Sequence, residues 1–320
     1  MKALKKWTFL IIGFLLIAPT LPKVSAAEEK TVRVYFIGNS VTDTVRYGSL
    51  KKLAESRGIK MVWGRTMIPG APLEWIYTHP DDGFREQPFG TWKSALKDYP
   101  WDVVVLQPFD RHLHSKNQAG EDFGDVALIT KFAKMAYEKN PDVQIYIYAR
   151  WPRVTVNGKG VPFDKNDYDP TKPGSGNDLS KIDPYKIRWE AKYTGGWDLT
   201  NESRGYFETL LREVRKETVF LKKPVLLVPV GYVFAELDDW MKNGKVKGYS
   251  NIYQLYKDGI HLNETGSYIV GCTFFATLFK ESPEGLSVEP YGNVDRELAT
   301  TAQKLIWQVV KSNPFSGIEK

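Results

Sequence analysis

Short runs of apolar, mostly β-branched residues recur along this chain, far enough apart for a helix to lie between consecutive runs. A strand buried on both faces has a continuous apolar sequence, so these runs predict the strands of a parallel sheet. Alternating strands and helices place helices on both faces of such a sheet, which predicts an α/β fold, a three-layer α/β/α sandwich with a five-stranded parallel sheet. The predicted strands are 32–37, 60–65, 102–107, 143–149 and 224–230, and the predicted helices are 45–57, 91–98, 123–139, 204–222, 264–280 and 292–311.

The length of the chain suits one large α/β domain or two small ones, and 320 residues that are 42% hydrophobic can bury a large core. We predict a single domain over residues 28–320. Residues 151–203 interrupt the alternation with a stretch dense in Pro, Gly, Asp, Asn, Tyr and Trp. Because its many aromatic residues argue against simple disorder, we predict an ordered insertion in this stretch.

The N-terminus has the pattern of a secretory signal. Lys2, Lys5 and Lys6 precede an apolar run from 7 to about 18, and the small residues of VSAA follow. An uncleaved membrane anchor is the alternative, but the apolar run is shorter than the roughly 20 residues that span a bilayer. We therefore predict a cleavable signal peptide at 1–27, a secreted or periplasmic location, and no membrane association after cleavage.

The apparent basicity of the chain belongs mainly to this leader. Residues 1–27 contain four lysines and no acidic residue, so the 44 basic and 38 acidic residues of the whole chain become 40 and 38. This balance, without a dense basic stripe, gives no reason to expect a nucleic-acid partner. A single cysteine, Cys272, excludes an intrachain disulfide, and its apolar surroundings predict a buried, inert thiol.

Two short polar stretches contain residue types that could perform acyl transfer. The stretch FIGNSVTD places Ser40 at the carboxyl end of the first predicted strand, where ligands bind in parallel α/β sheets. The stretch YKDGIHLNETGSY places Asp258 and His261 three residues apart before a predicted helix. A serine nucleophile needs a base, and the base needs a carboxylate that orients it. Taken alone, Ser40 could equally be a turn or capping serine.

Together FIGNS and DGIHLN resemble the SGNH hydrolase superfamily, which has a Gly-Asp-Ser-like first block and an Asp-x-x-His last block. The resemblance implies a flavodoxin-like α/β/α fold that needs no cofactor. It implies that Ser40 is the nucleophile, that His261 is the base and that Asp258 orients it. It also implies that Gly70, in MIPGAPLEW, directs its backbone N–H at the oxyanion beside that of Ser40, although Gly70 could simply serve the turn.

The chain departs from the family pattern at the end of the third strand. The family usually has Gly-x-Asn-Asp there, with the asparagine amide as an oxyanion donor, whereas this chain reads VVVLQPFDRH. Gln107 occupies the corresponding place and offers the same amide donors on a longer stem. It is therefore the third predicted oxyanion donor, and the loss of such a donor costs about 100- to 1000-fold in rate. The pattern GNS, LQ and DGIHLN is similar to that of a branch of secreted SGNH-like proteins. Members of this branch often occur alongside polysaccharide-degrading enzymes.

Arginine and tryptophan residues near the predicted strand ends suggest the substrate. Arg111 and Arg150 follow the third and fourth strands, where guanidinium groups could bind a carboxylated or sulfated sugar, although structural salt bridges are the commoner role. The chain has ten tryptophans, and four of them lie in or beside loops expected at the site, namely Trp75, Trp151, Trp189 and Trp197. Flat aromatic rings stack on the apolar faces of sugars. We predict Arg111, Arg150, Trp151 and Trp75 as substrate-binding residues.

These patterns predict a secreted carbohydrate esterase that removes acetyl or similar acyl groups from a polysaccharide or oligosaccharide. One alternative is a glycan-binding protein on an esterase scaffold, and another is a hydrolase that cleaves a glycosidic or sulfate ester bond. His112 and His114 could begin a zinc site, but the neighbouring sequence offers no residues that complete four ligands. We therefore predict no metal and no cofactor.

Overall fold

The computed structural model describes residues 30–160 and 182–318. The predicted signal peptide and residues 161–181 of the predicted insertion lie outside these ranges. The described strands are β1 (Lys30–Gly38), β2 (Ile59–Met67), β3 (Phe84–Arg85), β4 (Val103–Leu106), β5 (Gln144–Tyr148), β6 (Thr155–Val156), β7 (Lys159–Gly160) and β8 (Leu226–Val228). The described helices are α1 (Ser40–Asp43), α2 (Tyr47–Glu55), α3 (Leu73–Thr78), α4 (Trp92–Asp98), α5 (Asp125–Lys139), α6 (Tyr185–Trp189), α7 (Arg204–Glu217), α8 (Val230–Lys242), α9 (Glu264–Phe279) and α10 (Arg296–Ser312).

The central sheet has the strand order β3-β2-β1-β4-β5-β8. Its last five strands in that order are parallel, and β3 is a two-residue antiparallel edge. Helices α2, α8, α9 and α10 pack together in one layer, and α3, α4, α5 and α7 pack together in another. The predicted three-layer α/β/α fold with five parallel strands is confirmed, and β3 is an addition at its edge.

Helix α9 is the centre of one helical layer. Every residue from Thr265 to Phe279 is buried, which is typical of a helix enclosed by other elements on all sides. Cys272 lies in this helix, and its burial raises the pKa of the thiol to about 12. The thiol therefore stays protonated and unreactive at neutral pH. No helix in 30–160 or 182–318 combines the length and apolar character that a membrane crossing requires.

Helix α8 was not predicted from the sequence. The apolar run of the last strand continues without a break into a helical pattern, in which Val230, Val233, Phe234, Leu237 and Met241 are all buried. The change from strand to helix comes directly after Pro229, which precedes the first helical residue. Because both elements are buried, the apolar sequence does not mark the boundary between them.

The described part of the insertion packs against α8. Tyr185 and Trp189 of α6 are buried, and the Tyr185 hydroxyl donates a hydrogen bond to the Gly231 carbonyl at 3.1 Å. These two aromatic residues therefore join the later part of the insertion to the main core. The contact lies close to the carboxyl ends of β5 and β8, because the Gly231 N–H donates to the Ala149 carbonyl at 2.8 Å.

Candidate active site

The turn after β1 presents Ser40 at the carboxyl edge of the sheet. Asn39 precedes α1 and caps it, because its side-chain oxygen accepts the Val41 N–H at 3.0 Å. The Asn39 amide also donates to the Ala71 carbonyl at 3.0 Å, which joins this turn to the turn after β2. Ser40 is the first residue of the helix, where backbone N–H groups have no partner within the helix.

Ser40, His261 and Asp258 form a continuous chain of hydrogen bonds. The Ser40 Oγ and His261 Nε2 atoms are 2.9 Å apart, and His261 Nδ1 lies 2.9 Å from Asp258 Oδ2 and 3.2 Å from Oδ1. These distances allow the imidazole to accept the serine proton on one side while the carboxylate holds its other nitrogen. The structure thus brings together the three side chains to which the resemblance assigns the roles of nucleophile, base and orienting acid.

The loop that carries His261 is folded around the Asp258 carboxylate. Oδ1 of Asp258 accepts the backbone N–H groups of Ile260 at 2.9 Å and His261 at 2.7 Å. Partial burial raises the pKa of Asp258, but the hydrogen bonds from the His261 ring and these two N–H groups outweigh it, and the pKa is lowered overall. Asp258 is therefore ionised at neutral pH and able to stabilise a charged imidazole.

Gly70 lies in a tight turn beside Asn39. The Ala71 N–H donates to the Ile68 carbonyl at 3.1 Å and closes the turn, with Pro69 and Gly70 at its centre. Gly70 has a φ of +68°, a left-handed conformation that favours glycine. The turn hydrogen bond uses the N–H of Ala71, so the exposed Gly70 N–H does not take part in it. The contact between Asn39 and Ala71 fixes this turn relative to Ser40.

Gln107 supports the turn that carries Ser40. Its side chain is fully buried, and Oε1 accepts hydrogen bonds from the Asn39 N–H and the Thr42 hydroxyl, both at 3.1 Å. Its amide nitrogen donates to the Pro108 carbonyl at 2.7 Å. A Cβ atom at Gly38 would lie 2.0 Å from the Thr42 hydroxyl oxygen and 2.9 Å from Oε1, so this arrangement requires glycine there.

These contacts differ from the oxyanion role expected of Gln107. The longer stem turns the amide towards the backbone around Ser40, and one of its donors is used by the neighbouring Pro108 carbonyl. Gln107 therefore positions Asn39 and Thr42, on either side of Ser40, and its role as an oxyanion donor stays a prediction. The position of Gln107 after a predicted strand is visible in the sequence, but its partners are visible only in the tertiary structure.

Replacing Gln107 by leucine is expected to lower kcat for an ester substrate about 10- to 100-fold, because misplacing a reacting group by about 1 Å has a cost of this size. Two buried donors would also lose their acceptor, at about 1–3 kcal/mol of unfolding free energy. Thr42→Val removes one of the two hydrogen bonds, so it should show a smaller loss of kcat and a smaller loss of unfolding free energy. Steady-state kinetics measure the first loss and urea denaturation the second. The positioning role would be contradicted if Gln107→Leu lost activity while Thr42→Val kept the kcat of the parent.

Arg111 and Trp75 belong to an exposed aromatic rim, defined here as Trp75, His79, Arg111, His112 and Trp197. Trp75 is 51% exposed and stacks on His79 at 3.8 Å between ring centroids, while Trp197 is 67% exposed. The Arg111 guanidinium lies 4.9 Å from the Trp197 ring centroid and 3.2 Å from Glu74, the neighbour of Trp75. Arg111 therefore connects α3, which follows β2, to Trp197 of the insertion.

Two predicted substrate-binding residues are buried instead. Trp151 is fully buried, and its indole N–H donates to the Ile260 carbonyl at 2.7 Å, so it supports the loop that carries His261. Arg150 is 1% exposed and forms ion pairs with Asp110 and Glu202, both at 3.0 Å. The prediction that these side chains contact substrate is therefore corrected. Each lies beneath the surface and holds a loop of the site in place.

Arg150 belongs to a buried ion cluster, defined here as Asp110, Arg150, Arg153, Arg188 and Glu202. Arg153 pairs with Glu202 through Nε at 2.5 Å and also with Asp110. Arg188 lies 3.5 Å from Glu202. Burial alone would raise the pKa of Glu202, but Arg150 and Arg153 lower it to about 2. The cluster joins the loops after β4 and β5 to the end of the insertion.

Sequence reasoning missed several side chains around Ser40. Arg65 donates to both oxygens of Asp43 at 2.7 and 2.8 Å, directly after the nucleophile turn. Arg46 and Lys257 line a cavity of about 400 Å³ beside Ser40. No periodicity or motif marks these charges, although Arg46 and Lys257 stand close in sequence to Ser40 and Asp258. Within the described ranges, His, Cys, Asp and Glu side chains do not gather in threes as metal ligands.

No protein-family model matches this chain, and no curated protein sequence has a significant match to it. Among solved structures, a DUF4886 family protein from Bacteroides uniformis superposes with a TM-score of 0.53 at 18% identity, covering 88% of this chain and 96% of that one. This similarity shows a shared fold.

Weaker structural matches include two proteins that act on acyl groups according to their names. A carbohydrate esterase family 3 protein from Talaromyces cellulolyticus has a TM-score of 0.42 at 11% identity, covering 78% of this chain and 97% of that one. The periplasmic domain of a lipopolysaccharide acetyltransferase from Salmonella Paratyphi A has a TM-score of 0.40 at 12% identity, covering 79% and 85%.

Proposed function

We propose that this protein is a secreted carbohydrate esterase that removes acetyl or similar acyl groups by a serine mechanism. The observation that carries the proposal is the hydrogen-bonded chain of Ser40, His261 and Asp258, with 2.9 Å at both ends of the imidazole. A serine hydroxyl next to a base that is itself held by an ionised carboxylate is the arrangement that nucleophilic acyl transfer requires.

In the first half of the reaction, His261 takes the proton of Ser40 as the serine oxygen forms a bond to the acyl carbon. The backbone N–H groups of Ser40 and Gly70 hold the resulting oxyanion. When the tetrahedral intermediate collapses, the ester C–O bond breaks and His261 gives its proton to the departing sugar hydroxyl. The acyl group remains on Ser40 as an ester, and Asp258 stabilises the imidazolium between these transfers.

In the second half, water takes the place of the sugar. His261 removes a proton from the water as its oxygen attacks the acyl-serine carbonyl, and the same N–H groups hold the new oxyanion. Collapse of this intermediate releases the carboxylic acid and returns the proton to Ser40. The cycle needs no group beyond the side chains and backbone described, so we propose no cofactor.

The aromatic rim supports a carbohydrate as the substrate. Trp75 and Trp197 are both exposed, and Arg111 contacts the Trp197 ring and pairs with Glu74, the neighbour of Trp75. Sugar rings stack on such faces, while a guanidinium can donate to their hydroxyl groups. We propose that the rim binds sugar units next to the one that carries the ester.

Product analysis on oligosaccharides that differ only in acetylation tests this function. We expect the protein to release acetate and to leave the length of each oligosaccharide unaltered, with the Ser40→Ala protein as the control for contaminating activity. New reducing ends would instead indicate a glycosidase, and inorganic sulfate released from sulfated glycans would indicate a sulfatase. Binding of the acetylated glycan without any release of acid would favour a glycan-binding protein on an esterase scaffold.

A further inference from the structure

The cavity of about 400 Å³ beside Ser40 is a second feature of the site, separate from the aromatic rim. Ser40, His261 and Asp258 form part of its wall, and the side chains of Asp43, Arg46 and Lys257 add further charges. Its volume lies within the range of sites that bind small molecules. A group attached to the reacting ester would enter this cavity while the ester itself contacts Ser40.

The acidic side chains in the wall are already paired. Asp43 receives two hydrogen bonds from the Arg65 guanidinium, at 2.7 and 2.8 Å, and Arg65 also pairs with Glu86 at 3.0 Å. Asp258 is occupied by the His261 ring and two backbone N–H groups. Neither carboxylate is therefore directed at a cation in the cavity.

The two basic side chains keep donors available to the cavity. Arg46 donates one Nη1 hydrogen bond to the Tyr291 carbonyl at 2.7 Å, and the same nitrogen forms a long ion pair with Glu264 at 3.7 Å. This leaves other guanidinium donors for a ligand. Lys257 is exposed, forms no ion pair with a residue of the described ranges, and has its backbone N–H bonded to the His261 carbonyl at 2.9 Å.

We propose that Arg46 and Lys257 bind a carboxylate group of the substrate, so that the enzyme prefers esters that carry a negative charge. The proposal rests on the proposed esterase function and narrows its substrate class. A guanidinium fork and an ammonium group are the usual partners of a carboxylate in proteins. The carboxylate belongs either to a uronic acid ring or to a dicarboxylic acyl group such as succinyl.

Three synthetic esters separate these cases: acetylated methyl glucoside, acetylated methyl glucuronoside and succinylated methyl glucoside. We expect kcat/KM for one of the charged esters to exceed that for the neutral ester. Arg46→Gln and Lys257→Gln should each reduce this ratio about 10-fold or more, because each removes a charge-assisted hydrogen bond to the carboxylate. Which charged ester shows the preference identifies where the carboxylate lies.

Lys52→Gln is the matched control, because it removes a positive charge from the exposed surface of α2, outside the cavity. It should leave the preference unaltered. Equal turnover of charged and neutral esters by the parent protein, or an unaltered ratio in both cavity variants, would overturn the proposal while the esterase function stands.

If the parent hydrolyses none of the three esters, the esterase function fails and binding decides the question of the subsite. Calorimetric titration with methyl glucuronoside and with succinylated methyl glucoside, each compared with methyl glucoside, then provides the readout. Binding of either charged compound but not of methyl glucoside, weakened in Arg46→Gln, supports the carboxylate site without catalysis. Equal binding of the charged and neutral compounds, or no binding of any of them, overturns it.

Discussion

Ser40→Ala is expected to lower kcat for an acetyl ester by about 10⁴-fold or more, because the variant lacks the oxygen that forms the acyl bond. His261→Ala should lower kcat by about as much, since without its base the Ser40 hydroxyl stays protonated. The double variant should be no slower than either single one, because the two residues act as a unit. Asp258→Asn should lower kcat somewhat less, because the base is still present but is wrongly oriented.

Steady-state hydrolysis and single-turnover acylation measure these losses, and circular dichroism checks that each variant is folded. Ser56→Ala is a suitable control, because the Ser56 hydroxyl donates to the Leu53 carbonyl at the end of α2 and lies outside the site. It should keep the parent's kcat. A Ser40→Ala protein that still forms an acyl-enzyme would rule out Ser40 as the nucleophile.

Glu202→Gln is expected to lower the free energy of unfolding by about 3–5 kcal/mol at neutral pH. The change leaves Arg150 buried with a reduced set of partners, and removing one member of a buried ion pair typically has a cost of this size. Urea denaturation at neutral pH measures it. Because the buried ion cluster also holds Asp110, in the loop after β4, a fall in kcat should accompany the loss of stability.

The same carboxylate predicts how stability depends on pH. The folded-state pKa of Glu202 is depressed from 4.5 to about 2, so its stabilising contribution is complete above pH 4.5 and is lost as the pH falls towards 2. The parent's free energy of unfolding should therefore decrease across this interval. Glu202→Gln has no carboxylate to protonate and should show a shallower decrease.

Glu289→Gln provides the comparison for this experiment. Glu289 pairs with Arg296 at 3.0 Å, and both side chains are more than two thirds exposed. Exposed ion pairs contribute less than about 1 kcal/mol, so the free energy of unfolding of this variant should stay close to that of the parent. If the free energy of unfolding of Glu202→Gln at neutral pH were equally close to that of the parent, the buried ion cluster would contribute no net stability.

The architecture was predictable because its signals are local. Five continuous apolar runs became the five parallel strands, and the period of the intervening segments marked most of the helices. Helix α8 was not predicted because its apolar face continues the apolar run of β8. The edge strand β3 was not predicted because its two exposed residues have no pattern of their own and pair with the end of β2.

The site was predictable to a smaller degree. Ser40, Asp258 and His261 could be named from two short stretches, because each stretch lies at an element boundary and resembles a family motif. The roles of Arg150 and Trp151 could not be read in this way. Their position after β5 is correct for a site, but their side chains turn inward to Glu202 and to the Ile260 carbonyl.

By itself the sequence determined the layers of the fold and the three side chains that meet beside the sheet, since hydrophobic periodicity and turn chemistry depend on neighbouring residues. The tertiary structure decided the partners: Gln107 supports the turn that carries Ser40, and Arg46 and Lys257 meet at one cavity although they lie far apart in the chain. The direction of a side chain depends on packing against distant residues, and local patterns contain no information about that packing.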